Sequence, residues 1–182
     1  MTPPASLIVL DRDGVLNIDS PDYIKSAEEW IPIPGSIEAV ASLSRAGYRI
    51  YVATNQAGLA KGKFVQKDLD EMHQKLESLV EAAGGVLTGI FYCPHHPDEN
   101  CECRKPRPGL LLNIASSAGV KPETLIFIGD STKDVMAARA VGAKPVLVLT
   151  GNGQQSLQSL SDDPPETHRD LASFARSLLR SE

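Results

Sequence analysis

The stretch Leu7-Ile-Val-Leu-Asp-Arg-Asp-Gly-Val-Leu-Asn17 decides the fold. Its four apolar residues, Leu7 to Leu10, fit a strand buried on both faces, and such strands belong to parallel sheets covered by helices. The run ends in Asp11 and Asp13, two residues apart, followed by Gly14. Two carboxylates at the end of a buried strand do not both stay ionised at ease without a cation between them.

Outward from this stretch, strand and helix patterns alternate. Tyr48–Ala53, Val86–Tyr92 (weakened by Gly89), Leu125–Ile128 and Val146–Leu149 read as further strands. Ser36 is placed to cap a helix carrying Ile37, Val40 and Leu43 that stops at Gly47. Leu69, Met72, Leu76, Leu79 and Val80 recur at helical spacing up to Gly84 and Gly85. Further helices are expected over 108–118, Asp134–Val141 and Leu171–Leu179. Residues 151–168, rich in Gly, Ser, Gln, Asp and Pro, are expected to form a loop, and no internal repeat is visible.

This alternation predicts an α/β fold: a Rossmann-like, doubly wound, mostly parallel sheet with helices on both faces, in one domain of residues 1–182. Ligands of such sheets sit at the carboxyl ends of the strands. Four polar groups directly follow predicted strands: Asp11 with Asp13, Thr54 with Asn55, Cys93, and Asp130.

At 182 residues the chain can bury a core. A net charge of -5 argues against nucleic acid as the main partner, because phosphate backbones call for a basic face. Small anions remain compatible with an acidic protein. Met1–Ser6 carries no basic segment, and Leu7–Leu10 is too short for a signal core or a membrane span. A cytoplasmic monomer with no membrane partner is expected.

The carboxylate pair suits Mg²⁺, which takes one or two protein carboxylates and leaves room for water and substrate phosphate. Asp130 is the natural extra ligand. Taken alone, D-x-D-G is equally compatible with an acidic turn; a calcium loop fits worse, since Val15 stands where a further ligand belongs. Asp11 is placed to attack phosphorus, and Asp13 to protonate the leaving alkoxide and then activate water. Thr54, Asn55 and Gln56 offer donors for phosphoryl oxygens, and Lys105 a cation for the phosphate and the nucleophile. Asp134, at a helix start, either caps that helix or orients Lys105.

Cys93-Pro-His-His-Pro97 and Cys101-Glu-Cys103 place three thiols and imidazole within eleven residues. Cys93, His95, Cys101 and Cys103 form a Cys₃His set, the composition of a structural zinc site, with His96 as the substitute for His95. Four protein ligands leave no open position for catalysis, and the zinc deaminase pattern is missing. Gly58–Phe64 falls one residue short of a P-loop, and Gly151-Asn-Gly153 lacks the third glycine of a dinucleotide fingerprint.

Together, Asp11-x-Asp13-Gly14, Thr54, Lys105 and Gly129-Asp130 with Asp134 resemble the four ordered motifs of the haloacid dehalogenase-like phosphatases, over about residues 7–150. The resemblance implies an aspartyl-phosphate on Asp11, acid/base work by Asp13, and Mg²⁺ held by Asp11, Asp130 and the main-chain carbonyl of Asp13. The segments Leu10–Asn17, Thr54–Gly58 and Cys93–Pro106 look like the branch containing heptose bisphosphate and histidinol-phosphate phosphatases. That likeness implies a structural zinc, and Arg104 on the substrate's remaining phosphate. It also implies a pocket near Asp19, Ser20, Asp22 and Tyr23, with Arg12, Asn55, Gln56 and Ser131 as further contacts. Ser131 stands where some of the branch carry Lys, and Val15 where many family members carry Thr.

The span from Asp13 to Gly35 is too short for a folded cap, so an open site is expected; a phosphomutase, which must exclude water, fits poorly. The implied reaction is removal of the C7 phosphate of a heptose bisphosphate, feeding lipopolysaccharide core or other surface-glycan synthesis. Two alternatives stand beside it: a histidinol-phosphate phosphatase, and a zinc-stabilised phosphosugar-binding domain without activity.

Overall fold

The computed structural model describes residues 7–181, so the reading of Met1–Ser6 lies outside it. The strands are β1 (Leu7–Leu10), β2 (Arg49–Asn55), β3 (Gly89–Cys93), β4 (Leu125–Gly129), β5 (Lys144–Val148) and β6 (Glu166–His168). The helices are α1 (Ser36–Arg45), α2 (Gln66–Ala82), α3 (Gly109–Ala118), α4 (Thr132–Ala140), α5 (Gly153–Ser159) and α6 (Leu171–Arg180). Among the described residues the strands form one sheet in the order β3-β2-β1-β4-β5-β6, with every pairing parallel.

The continuous apolar run of β1 is explained by its central place, since β1 pairs with β2 on one side and β4 on the other. Its side chains alternate between two cores, as strand geometry requires. Ile8 and Leu10 pack with Val40, Leu43, Leu69, Met72 and Phe174, the buried faces of α1, α2 and α6. Leu7 and Val9 pack with Leu111, Ile114, Phe127 and Ala137 under α3 and α4. Residues 18–35 carry turns and one isolated bridge, so no folded cap stands over the sheet. Among the described residues, no helix is long and apolar enough to cross a membrane.

Two expectations are corrected. Ser36 does not cap α1: Gly35, at φ 83°, takes the cap position, and the buried Ser36 hydroxyl donates to the Leu16 carbonyl at 2.7 Å. The region 151–168 is not all loop, because it holds α5 and the edge strand β6. α5 turns polar residues outward, so no apolar stripe announces it. β6 is three residues long, too short to show an alternating pattern.

The sheet order reverses direction at β1 and β4: β1 leads outward to β2 and β3, and the chain then returns to β4 on the other side. Ligands of open α/β sheets bind at this crevice. The Asp11 amide extends the pairing by donating to Ile128 O at 2.9 Å, which brings the ends of β1 and β4 together.

Candidate active site

A cleft of about 570 Å³ opens at the carboxyl ends of β1, β2 and β4, lined among others by Asp11, Asp13, Thr54, Arg104, Lys105 and Asp130. Three of the four strand-end groups, those of Asp11, Thr54 and Asp130, therefore meet at one place with Arg104 and Lys105, while Cys93 does not line the cleft. Asp11 Oδ1 accepts from the Arg12 amide at 2.8 Å and pairs with Lys105 Nζ at 2.9 Å. One oxygen of the carboxylate is thus anchored by the protein.

Lys105 is buried, and its three ammonium hydrogens have three partners: Asp11 Oδ1 at 2.9 Å, Asp134 Oδ1 at 2.7 Å and the Ala53 carbonyl at 2.9 Å. Burial disfavours its charge, but Asp11 and Asp134 outweigh that and hold its pKa above the ordinary lysine range. Its donors are therefore committed to the protein, which leaves Lys105 its field and its hold on Asp11 as routes to a ligand in the cleft. Both readings of Asp134 hold. Its Oδ1 pairs with Lys105, while its Oδ2 accepts from the Ser131 amide and hydroxyl in a capping box at the start of α4.

Ligand oxygens of Asp11, Asp130 and Asp134 lie within 4.8 Å of one another. Burial, followed by the charge of Asp134, pushes Asp11 well above the usual carboxylate range, against the pull of Lys105. Burial pushes Asp130 up to about 7, opposed by the Asn152 amide and reinforced by Asp134. One lysine does not neutralise three carboxylates. An all-oxygen cluster short of positive charge fits a hard divalent cation. Gly14 and Gly151, both at positive φ, bracket Asp130 so closely that a Cβ on either would overlap its Oδ2.

Asp13 sits in a clamp. Its Oδ1 accepts from Arg12 Nε (3.0 Å), Arg12 Nη2 (2.9 Å) and Asn17 Nδ2 (3.0 Å), and its Oδ2 from Arg12 Nη2 (3.2 Å) and Gln56 Nε2 (3.0 Å). Burial works to raise its pKa, but the Arg12 charge and these hydrogen bonds leave it below the ordinary value. Arg12, expected on the substrate, is fully buried and does not line the cleft. Its side chain runs beneath the site, toward Met72 Sδ at 3.9 Å and His73 Nε2 at 3.4 Å on α2.

Burial, with the Arg12 charge added, lowers the His73 pKa to about 4. An unfolded His binds its proton near pH 6.5. Between these values the unfolded chain takes up a proton that the folded chain refuses, so stability is present above pH 6.5 and is lost as pH falls toward 4. The loss attributable to this residue is up to about 3 kcal/mol. Chemical denaturation at stepped pH should show a shallower acid slope for His73→Gln than for the wild type. Parallel slopes would remove His73 from the account.

Thr54 Oγ1 accepts from Gln56 Nε2 at 2.9 Å, so its own hydroxyl hydrogen is left for a ligand. Asn55 lines the cleft, and its side-chain amide also donates to Lys105 O and accepts from Lys105 N, at 3.1 and 3.0 Å, and so positions Lys105. Asp19, Ser20, Tyr23 and Ser131 line the cleft as expected. Asp22 does not; it is exposed and pairs with Lys25 at 3.3 Å and Lys63 at 3.7 Å. Arg104 lines the cleft with its Nη1 buried and without a hydrogen-bond partner. Two site residues escaped the sequence reading: Asn17, one turn after Asp13, and Asn152, whose amide donates to Asp130 Oδ2 at 2.8 Å.

Beside the cleft, donor atoms of Cys93, His95, Cys101 and Cys103 lie within 4.8 Å of one another. Neighbouring pairs are 3.2–3.6 Å apart. Four ligands at about 2.0–2.3 Å around one ion would stand roughly 3.3–3.8 Å apart, so the set fits a tetrahedral metal. His96 is outside it: its Nδ1 accepts from the Asp98 amide at 3.2 Å, capping a short 3₁₀ turn, Pro97–Glu99.

A family model described as HAD-hydrolase-like matches residues 102–174. The chain is 50% identical over 173 residues to D-glycero-beta-D-manno-heptose-1,7-bisphosphate 7-phosphatase of Pseudomonas putida, covering 95% of this chain and 99% of that protein. The crystal structure of D,D-heptose 1,7-bisphosphate phosphatase from Bordetella bronchiseptica, complexed with magnesium and phosphate, superposes with a TM-score of 0.94 at 43% identity, covering 97% of this chain and 99% of that one. The corresponding enzyme of Burkholderia thailandensis gives a TM-score of 0.74 at 36% identity, with 96% and 98% coverage. With site geometry and near full-length likeness in agreement, the chain belongs to the D-glycero-beta-D-manno-heptose-1,7-bisphosphate 7-phosphatase family of haloacid dehalogenase-like hydrolases.

Proposed function

We propose that this protein is a magnesium-dependent phosphatase that removes the C7 phosphate of D-glycero-beta-D-manno-heptose 1,7-bisphosphate, supplying heptose 1-phosphate for nucleotide-activated heptose and surface-glycan synthesis. The observation that carries the substrate is Arg104, which lines the same cleft as Asp11 and has a buried Nη1 without a hydrogen-bond partner. A buried cationic donor left unpaired is costly, and a second phosphate on the substrate would satisfy it. The beta anomer is supported by the name of the Pseudomonas putida relative.

Asp11 attacks phosphorus, the bond from phosphorus to the sugar oxygen breaks, and the departing alkoxide takes a proton from Asp13. Water then attacks the aspartyl-phosphate, gives a proton to Asp13, and frees Asp11 and inorganic phosphate. Asp13 is held ionised in the free site, so the proton for the first step arrives with the substrate's own phosphate. The Thr54 hydroxyl donates to a phosphoryl oxygen as charge develops. Mg²⁺, held by Asp11, Asp130 and the main-chain carbonyl of Asp13, would neutralise charge on the phosphoryl oxygens.

The four-ligand cysteine cluster is assigned to a structural zinc. The reading places these parts in one domain spanning residues 1–182, acting as a cytoplasmic monomer.

A panel of phosphoesters with and without Mg²⁺ tests this reading. The beta heptose bisphosphate should exceed the alpha anomer and histidinol phosphate in kcat/KM, the latter by at least roughly tenfold, because it leaves Arg104 unpaired. Faster turnover of histidinol phosphate would overturn the substrate. Binding of phosphosugars without Mg²⁺-dependent turnover of any of them would overturn the activity.

A further inference from the structure

We propose that Arg12 is a positioning residue: its guanidinium sets the plane of the Asp13 carboxylate and leaves Oδ2 as the oxygen that exchanges protons with the reacting groups. The inference rests on Asp13 being the acid/base of the proposed reaction. Arg12 shows 0% exposure, yet a charge taken wholly out of water is costly unless it is well paired. Among the described residues its only anionic partner is Asp13, which it meets with a fork of three contacts between 2.9 and 3.2 Å. Its remaining neighbours, Met72 and His73, come from α2.

A bidentate guanidinium fixes the orientation of a carboxylate as well as its charge. Oδ1 is filled by three donors, two from Arg12 and one from Asn17. Oδ2 has two, one of them Gln56, whose other amide hydrogen goes to Thr54 Oγ1. The same amide therefore ties the orientation of Asp13 to that of the Thr54 hydroxyl. The Asp13 side chain is 22% exposed against 1% for Arg12, so the guanidinium lies behind and the carboxylate lies toward the cleft.

The test measures the first, alcohol-releasing step in single turnovers of the Mg²⁺- and Zn²⁺-loaded enzyme, with two esters. An alkyl ester (the heptose bisphosphate) needs its leaving oxygen protonated; p-nitrophenyl phosphate hardly does. Arg12→Met should slow the alkyl ester by roughly 10²-fold, within the range of acid–base contributions, and the aryl ester by less than roughly tenfold, with little change in KM. In an Asp13→Asn background the same substitution should cost nothing further on the alkyl ester. Arg12→Lys, which keeps the charge and loses the fork, should fall between, and it carries the comparison if Arg12→Met does not fold. Equal losses on both esters, or an undiminished loss in the Asp13→Asn background, would show that Arg12 merely supports the fold. An Asp13→Asn variant that slows both esters alike would instead sink the acid/base reading of Asp13.

Discussion

Asp11→Asn is expected to reduce phosphate release from every phosphomonoester by roughly 10⁴-fold or more, the scale seen when a covalent nucleophile is removed from a group that acts as a unit. The amide keeps the shape of the side chain but is not a nucleophile, so the aspartyl-phosphate does not form. Loss of fold is not the cause to expect. Burial and the charges of Asp134 and Asp130 already raise the Asp11 pKa, which means that the folded site disfavours a carboxylate there. A neutral residue relieves that crowding, so in the absence of Mg²⁺ thermal unfolding of the variant should stay at or above the wild-type midpoint. Phosphate release measured beside a circular-dichroism melt separates the two effects. Release at the wild-type rate would end the aspartyl-phosphate mechanism.

Stripping zinc is the second large effect. With zinc bound, Cys93, His95, Cys101 and Cys103 would tie down a segment that runs from the end of β3 to Arg104 and Lys105. Its other anchors include the paired bonds of Asn55 with Lys105, the contacts of Lys105 Nζ with Asp11, Asp134 and Ala53, and Arg107 to Cys101 O at 2.7 Å. Structural zinc sites of this kind carry roughly 10–16 kcal/mol in small peptides. In a folded domain only part of that is lost, because the sheet persists without the loop. A loss of about 4 kcal/mol would lower the melting temperature by roughly 8–16 °C. Metal analysis should find about one tightly held zinc per chain. A zinc chelator, or Cys101→Ser, should lower the melting point and also the activity, because Lys105 follows the last ligand by two residues. An unchanged melting point after verified zinc removal would mean that the loop holds itself.

The main outline of the site was legible because each group follows an apolar run. Once Leu7–Leu10 and Leu125–Ile128 are read as buried parallel strands, Asp11 and Asp130 must lie at neighbouring carboxyl ends. The cysteine and histidine cluster was equally visible, its members being close in sequence; His95 lies within it, while His96 is occupied by a cap. What stayed hidden depends on side-chain direction. Arg12 sits between two cleft carboxylates in sequence but turns into the interior, because Asp11 ends a strand while Gly14, at φ 84°, folds the next residues into a tight turn. Asn17 and Asn152 were missed for related reasons. One is fixed by that turn, and the other meets Asp130 across 22 positions from the residue just ahead of a helix with no apolar signature. Asp22 was over-read, since position in a pocket loop does not say what else competes for a side chain.

The central place of β1 has a consequence for how the molecule comes into being on the ribosome. Among the described strands β1 is the first synthesised, yet one of its two neighbours, β4, is made after β2, α2, β3 and α3. Until β4 emerges, β1 presents an open edge, and unpaired edges invite pairing with other chains. Over most of the same interval Asp11 lacks Lys105, and throughout it lacks Asp130. Contacts this distant in sequence form late, so a nascent chain cut short before Asp130 is a fragment with a sticky strand and no catalytic centre. Products cut short before Asp130 are therefore candidates for chaperones and proteases, and none of them is a weak enzyme.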